Sequence, residues 1–226
     1  MLILIVVGIV YAHQKEEARR KALRGVAQRQ GWTFKAGDDH GHDDRYAHFE
    51  VFRRGEHRAA HNTLSGVLEV GEFRCPLHAG DFKYTEHSGA GNDQTSTTYR
   101  ISFAILHLPW PHMPDVLIRG EHAFDKLAGF IGMEDIDFES AEFSERFYVQ
   151  SSDKRFAYDL IDARMMEFLL AGSPPLIDTK RGQICLASRG RRWEPAEFEQ
   201  HAAWLWEFVS RWPRHVVADL EPQKRA

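Results

Sequence analysis

Between Thr63 and Leu108 the apolar residues recur at every second position, and few architectures accept that pattern. In residues 63–70, Leu64, Gly66, Leu68 and Val70 point one way, with Thr63, Ser65 and Glu69 opposite. In residues 99–108, Tyr99, Ile101, Phe103 and Ile105 face inward, with Arg100 and Ser102 opposite. Successive side chains of a strand point to opposite faces, so this alternation predicts half-buried antiparallel strands. Phe49, Val51 and Phe52 predict another strand, ending at Arg54-Gly55, and Phe82 and Tyr84 start a further one. Residues 88–93 read as a turn, and Val116, Leu117 and Ile118 as a short edge strand beyond Pro109, Pro111 and Pro114. The expectation is an antiparallel sheet over 49–108, with Ile101, Phe103 and Ile105 buried on one face.

After Gly120 the period mixes. Residues 123–131 predict a short amphipathic helix that stops at Gly132. Phe147 and Val149 alternate as a strand, and Asp153 caps a helical stretch through Met165 and Leu170, ended by Gly172 and Pro174-Pro175. Residues 176–179 and 184–187 predict a hairpin turning at Arg181-Gly182. Pro195 opens a final helix that buries Phe198, Leu205 and Val209 and closes at Pro213. Trp204 and Trp206 lie too close in sequence to share its apolar stripe. These elements predict an α+β fold: an N-terminal membrane or stalk helix (1–31), one antiparallel β-sheet domain with packed helices (32–220) and a polar tail (221–226).

Residues 1–12 (MLILIVVGIVYA) are an unbroken apolar run without charge. As a helix they cover about 18 Å, against a hydrocarbon core of about 30 Å. Such a run spans only where the bilayer thins or where the natural start lies upstream. Lys15, Arg19, Arg20, Lys21 and Arg24 follow it, and nothing basic precedes it. By the positive-inside rule this side of a membrane anchor stays in the cytoplasm, so the expected location is the bacterial inner membrane with the domain on the cytoplasmic side. The competing expectations are a signal peptide cleaved after Ala12 with an exported product, which the missing n-region charge disfavours, and a docking helix buried in the fold. Glu16–Arg20 and Glu17–Lys21 are spaced as helical ion pairs. Leu23, Val26 and Ala27 form a narrow stripe docking the helix near Trp32.

The segment Ile136-Asp137-Phe138-Glu139-Ser140-Ala141-Glu142-Phe143, leading through Phe147 to Val149, resembles one found in uncharacterised bacterial membrane-anchored proteins. Gly31-Trp32, Ala157-Tyr158 and the Met165–Leu170 helix match that family's layout. The resemblance implies an anchored domain and carries no chemistry with it. Read from the residues, Ile136, Phe138, Phe143, Phe147 and Val149 are core anchors under an acidic rim.

The net charge of −4 leaves no basic footprint for nucleic acid. Two cysteines, Cys75 and Cys185, make no disulfide framework, and no nucleophile elbow or phosphate-binding glycine loop is present, so no cofactor is expected. Thirteen histidines are many for 226 residues. The metal-like stretch is Asp38-Asp39-His40-Gly41-His42-Asp43-Asp44, with His48, His57 and His61 following, and its candidate ligands are His40 and His42. Lys180, Arg181, Arg189, Arg191 and Arg192 form a local basic patch. The expected function is a membrane-tethered, non-enzymatic binding or scaffold domain with a protein partner or the membrane surface as ligand. The alternative is a metal-assisted hydrolase built on the 38–61 segment.

Overall fold

The computed structural model describes residues 2–89, 95–120, 134–172 and 174–221. Its centre is a nine-stranded, wholly antiparallel sheet among those residues. In chain order the strands are β1 (Thr33–Lys35), β2 (Glu56–Val70), β3 (Phe73–Ser88), β4 (Thr95–His107), β5 (Val116–Gly120), β6 (Glu134–Asp135), β7 (Phe147–Ser151), β8 (Leu176–Lys180) and β9 (Gln183–Ala187). Across the sheet they run β1-β2-β3-β4-β9-β8-β5-β7-β6. The helices are α1 (Leu2–Gln30), α2 (His42–Arg45), α3 (Ala141–Arg146), α4 (Lys154–Leu160), α5 (Ala163–Ala171), α6 (Pro195–Ser210) and α7 (Arg214–Leu220). The fold class is α+β, with an N-terminal helix ahead of the sheet.

Alternation along the strands divides the core into two layers. On β4, Ala104 and Leu106 face the helices α1 and α6, together with Leu64, Leu77 and Leu186. Ile101, Phe103 and Ile105 face the opposite layer, where Tyr46, Phe49, Val51 and Phe52 of the 36–55 segment cover the sheet. Both expected buried sets, that of β4 and that of α6, are in place, with Phe198, Leu205 and Val209 all buried.

Besides the edge strand expected at Val116, Leu117 and Ile118, which as β5 lies inside the sheet between β8 and β7, four sequence expectations need correction. Phe49, Val51 and Phe52 do not form a strand; residues Glu50–Phe52 are a 3-10 turn that brings Phe49 and Phe52 together under the sheet. Three apolar residues are too few to set a period, and burial of the pair three apart decides the shape. Second, β3 begins at Phe73, where Gly71 at φ +60 turns a hairpin directly out of β2. Pro76 obscures its alternation; it sits opposite Val67 of β2, one residue before pairing with β4 starts at Leu77. Third, the stretch after Asp153 is two helices, each with its own aspartate cap: Asp153 accepts from the Phe156 amide and Asp162 from that of Met165. Fourth, Pro213 ends α6 only to precede α7, which buries Val216. The helix expected over 123–131 lies outside the described residues, as do most of the 88–93 turn and the tail beyond Glu221.

The 181–182 turn forms as expected, with Arg181 and Gly182 at φ +53 and +71. Of the two tryptophans, Trp204 stacks between Phe168 and Phe208, while Trp206 leans away and donates its indole N–H to the Glu69 carbonyl at 2.8 Å.

Candidate functional site

α1 is one unbroken helix whose two halves meet different surroundings. Val7, Ile9, Val10 and Tyr11 are exposed and touch no other element's core. Further along, Leu23, Val26 and Ala27 are buried against the sheet and α6, and Trp32 lies over Gly66 of β2. A Cβ at Gly66 would stand 2.0 Å from the Trp32 ring, so glycine makes room for the indole. Residues 16–27 of α1 thus belong to the same core as the sheet.

Between these halves a buried ion network fastens α1 to the strands. Asp81 of β3 is fully buried. Its carboxylate accepts both fork hydrogen bonds of Arg19, at 2.7 and 2.9 Å, and further ones from Ser102 Oγ at 2.7 Å and Asn62 Nδ2 at 3.1 Å. Glu16, one turn before Arg19, accepts from Asn62 Nδ2 at 2.7 Å and from Arg192 at 2.8 Å. Arg192 also lies 3.6 Å from Asp81. Asn62 reaches both carboxylates because it sits in a bulge of β2 at φ +52. That conformation is uncommon for a residue with a side chain, though asparagine tolerates it best. Burial works to raise the Glu16 pKa, but the hydrogen bonds from Arg192 and Asn62 outweigh it and hold the carboxyl at about 2.

Glu16, His61 and Asp81 bring one ligand atom each within 4.8 Å of one another. The donor set does not fit a metal. Both Asp81 oxygens already accept from cations or neutral donors, and the two carboxylates are matched by two guanidiniums. A divalent ion would face Arg19 and Arg192 at contact range. His61 adds no charge, since burial depresses its pKa. The arrangement is an electroneutral clamp.

The structure does not bring His40 and His42 together. His40 is exposed. His42 is fully buried among Phe52, Phe103 and Tyr46, with ring centroids 4.5 to 4.8 Å apart, and neither ring nitrogen has a partner. Burial pushes its pKa down to about 2 and that of neighbouring His78 to about 4, so both rings are neutral fillers of an aromatic layer. Three of the loop's four carboxylates are paired with cations: Lys83 binds Asp38 at 2.6 Å, Arg58 binds Asp43 at 2.7 Å and Arg45 pairs with Asp39, while Asp44 is exposed. The 38–61 segment therefore holds no shared metal pair at its expected ligands. His48 bonds Gln183, and His57 is exposed.

The basic residues after the apolar run also divide. Lys15, Lys21 and Arg24 are exposed, Arg20 pairs with Glu17, and Arg19 is spent inside the clamp. The expected Glu16–Arg20 and Glu17–Lys21 pairs do not form, because Glu16 is drawn to Arg192 and Asn62. The expected basic patch divides similarly: Arg192 enters the clamp, Arg191 forks onto Glu197 and Lys180 lies 3.8 Å from Asp178, while Arg181 and Arg189 are exposed. Sequence reasoning passed over Asp81 and Asn62. The available signal was an aspartate at an inward position of a strand, two residues after Ala79 and four after Leu77, which set the phase on the helix side of β3.

No protein-family model matches the chain, and no curated protein matches it. Among solved structures it is similar to the crystal structure of the mycobacterial trehalose monomycolate transport factor A, TtfA. The TM-score is 0.58, with 13% identity over 88% of this chain and 96% of that one. The likeness is one of fold. It carries no residue-level assignment at such identity.

Proposed function

We propose that this chain is a membrane-tethered, non-enzymatic binding or scaffold domain, held at the bacterial inner membrane with the domain on the cytoplasmic side. The observation that carries the reading is α1 itself. Its apolar half projects from the domain while its lower half is fixed by a buried, fully paired carboxylate, so the helix transmits the membrane's position rigidly to the sheet. No helix among the described residues is long and apolar enough to cross a membrane. In this reading the apolar end enters the bilayer only part-way, and Lys15, Lys21 and Arg24 lie toward the headgroups. Each basic residue near an anionic surface adds about 1 kcal/mol of attraction. The resemblance of the 136–149 segment to anchored bacterial proteins, and a fold shared with a protein named as a transport factor, are consistent with an accessory role beside other membrane components.

The test is fractionation of the full chain carrying a C-terminal reporter active only in the cytoplasm. Membrane-pelleted, active reporter is the expected result, and removal of residues 2–12 should move it to the supernatant. A soluble exported chain beginning at His13 would refute the tether.

A further inference from the structure

A hollow of about 220 Å³ opens at the end of β9, between Pro174-Pro175, the 188–193 loop and the first turns of α6. The loop is held from below by Ser102 of β4. The Ser102 amide donates to Ser188 Oγ at 2.8 Å, and the Trp193 amide donates to Ser102 Oγ at 2.9 Å. Gly190, at φ +66, turns the chain between the two attachments. Trp193 is 2% exposed, and its ring centroid lies 4.0 Å from that of His201 on α6. The floor is therefore pre-formed, and it stands on the same serine that donates to Asp81.

The charges around the hollow are unequally spent. Arg191 forks onto Glu197 at 2.6 and 2.7 Å, and Glu197 also accepts from the Glu194 amide. Those bonds, the Arg191 fork first, hold the Glu197 carboxyl at about 2, so the pair is closed and adds no net charge. Arg189 is different: among the described residues nothing bonds or pairs with its guanidinium. It is placed by shape instead. A Cβ at Gly120 would stand 2.5 Å from an Arg189 terminal nitrogen, so the guanidinium lies where only glycine leaves room. The Trp193 indole N–H and the His201 ring nitrogens likewise have no bond among the described residues, and none of them is sealed from solvent. Burial lowers the His201 pKa to about 4, so its neutral ring offers one N–H and one acceptor.

We propose that this hollow binds a small organic anion through a carboxylate or phosphate group, with Arg189 as the charged anchor and Trp193 and His201 as neutral donors. The one unspent charge is a guanidinium, whose planar fork matches either oxyanion. A cationic ligand would meet that guanidinium and find no open carboxylate, because Glu197 is filled by Arg191. A metal ion would find His201 as the one open ligand among the described lining residues, too few for zinc. Size sets the other limit. The hollow has the volume of about seven liquid waters and falls below the roughly 300–1,000 Å³ of drug-sized pockets, which selects a small acid or phosphate ester. The site would make the domain a binder of a small ligand as well as a scaffold, and it stands whether or not α1 is a tether.

The test is NMR of the isotope-labelled full chain in a neutral detergent, read at the tryptophan indole N–H signals. The Trp193 signal is identified by its loss in Trp193→Phe. The probes are ethyl phosphate and propionate, with glycerol and sodium chloride as controls. Saturable movement of the Trp193 signal with at least one anion, and none with either control, is the expected result; the tighter anion tells phosphate from carboxylate. Arg189→Gln should weaken binding by about tenfold. Arg189→Lys, which keeps the charge without the fork, should weaken it by several-fold. Gly120→Ala, which crowds the guanidinium, should weaken it too, whereas Arg181→Gln, at another exposed arginine, should leave it unchanged. Amide signals in the same spectra show whether each variant is folded, and Arg189→Lys decides if Arg189→Gln is not. No saturable movement with either anion, equal movement with chloride, or undiminished binding in the folded Arg189 variants overturns the proposal.

Discussion

Asp81 carries more consequence than any other polar residue described. Its burial is tolerable because Arg19, Ser102 and Asn62 fill its hydrogen-bonding capacity. Asp81→Ala leaves the Arg19 guanidinium uncompensated in a buried site and should lower unfolding free energy by about 3–5 kcal/mol in denaturant melts. Arg19→Met together with Asp81→Leu should cost less than the sum of the single changes, because neither charge is then stranded. Additive losses would show that the pair is not coupled. His42 gives a pH prediction. Burial lowers its folded pKa from 6.5 to about 2, and that of His78 to about 4. The unfolded chain therefore binds more protons below pH 6.5, so stability is full above that pH and falls as pH drops beneath it. Each such histidine contributes about 1.4 kcal/mol per pH unit. His42→Phe should flatten the decline between pH 6.5 and 4.5, and an unchanged slope would contradict the buried neutral ring. Glu16, held at about 2, adds loss in the same direction only below its ordinary value of 4.5.

At the level of elements, what could be read in advance depended on how long a pattern persisted. β4 and α6 present long runs of apolar residues in phase, and both formed with the expected faces inward, except that Tyr99 at the outer end of β4 is exposed. The stripe of Leu23, Val26 and Ala27 likewise docked where expected, beside Trp32. The 3-10 turn at Glu50–Phe52 was not legible, because so short a run takes its conformation from the sheet it covers. The clamp was not legible either. Glu16, Arg19, Asn62, Asp81, Ser102 and Arg192 are scattered over α1, three strands and a loop, and only the sheet register brings them together. His42 was misleading for the same reason: sequence shows H-x-H spacing but not the aromatic layer that closes over one ring. The contact of α1 and β1 with the sheet supplies the prediction at this scale. Gly66→Ala places a Cβ against the Trp32 indole. Overpacking of this kind typically costs about 1–3 kcal/mol, and the thermal midpoint should fall accordingly. A neutral effect would mean that Trp32 does not pack as described.

For the whole molecule, the account is of a rigid post set into a sheet. Helices cover one face, the aromatic 36–55 segment covers the other, and α1 runs from the helix layer past the edge of the domain. The apolar tip and the clamped base share one helix, so a tether at the tip, as proposed, would hold the domain at a fixed distance and orientation. The most direct test places a fluorophore at single cysteines, at Val7, Tyr11 or Ala22, in protein bound to phosphatidylglycerol vesicles containing nitroxide-labelled lipid. Cys75 and Cys185 are both buried, and each is replaced by alanine in the labelled protein. The account predicts strong quenching at positions 7 and 11 by nitroxide in the acyl chains, and none at position 22. Equal, weak quenching at all three positions, with full accessibility to iodide, would contradict it.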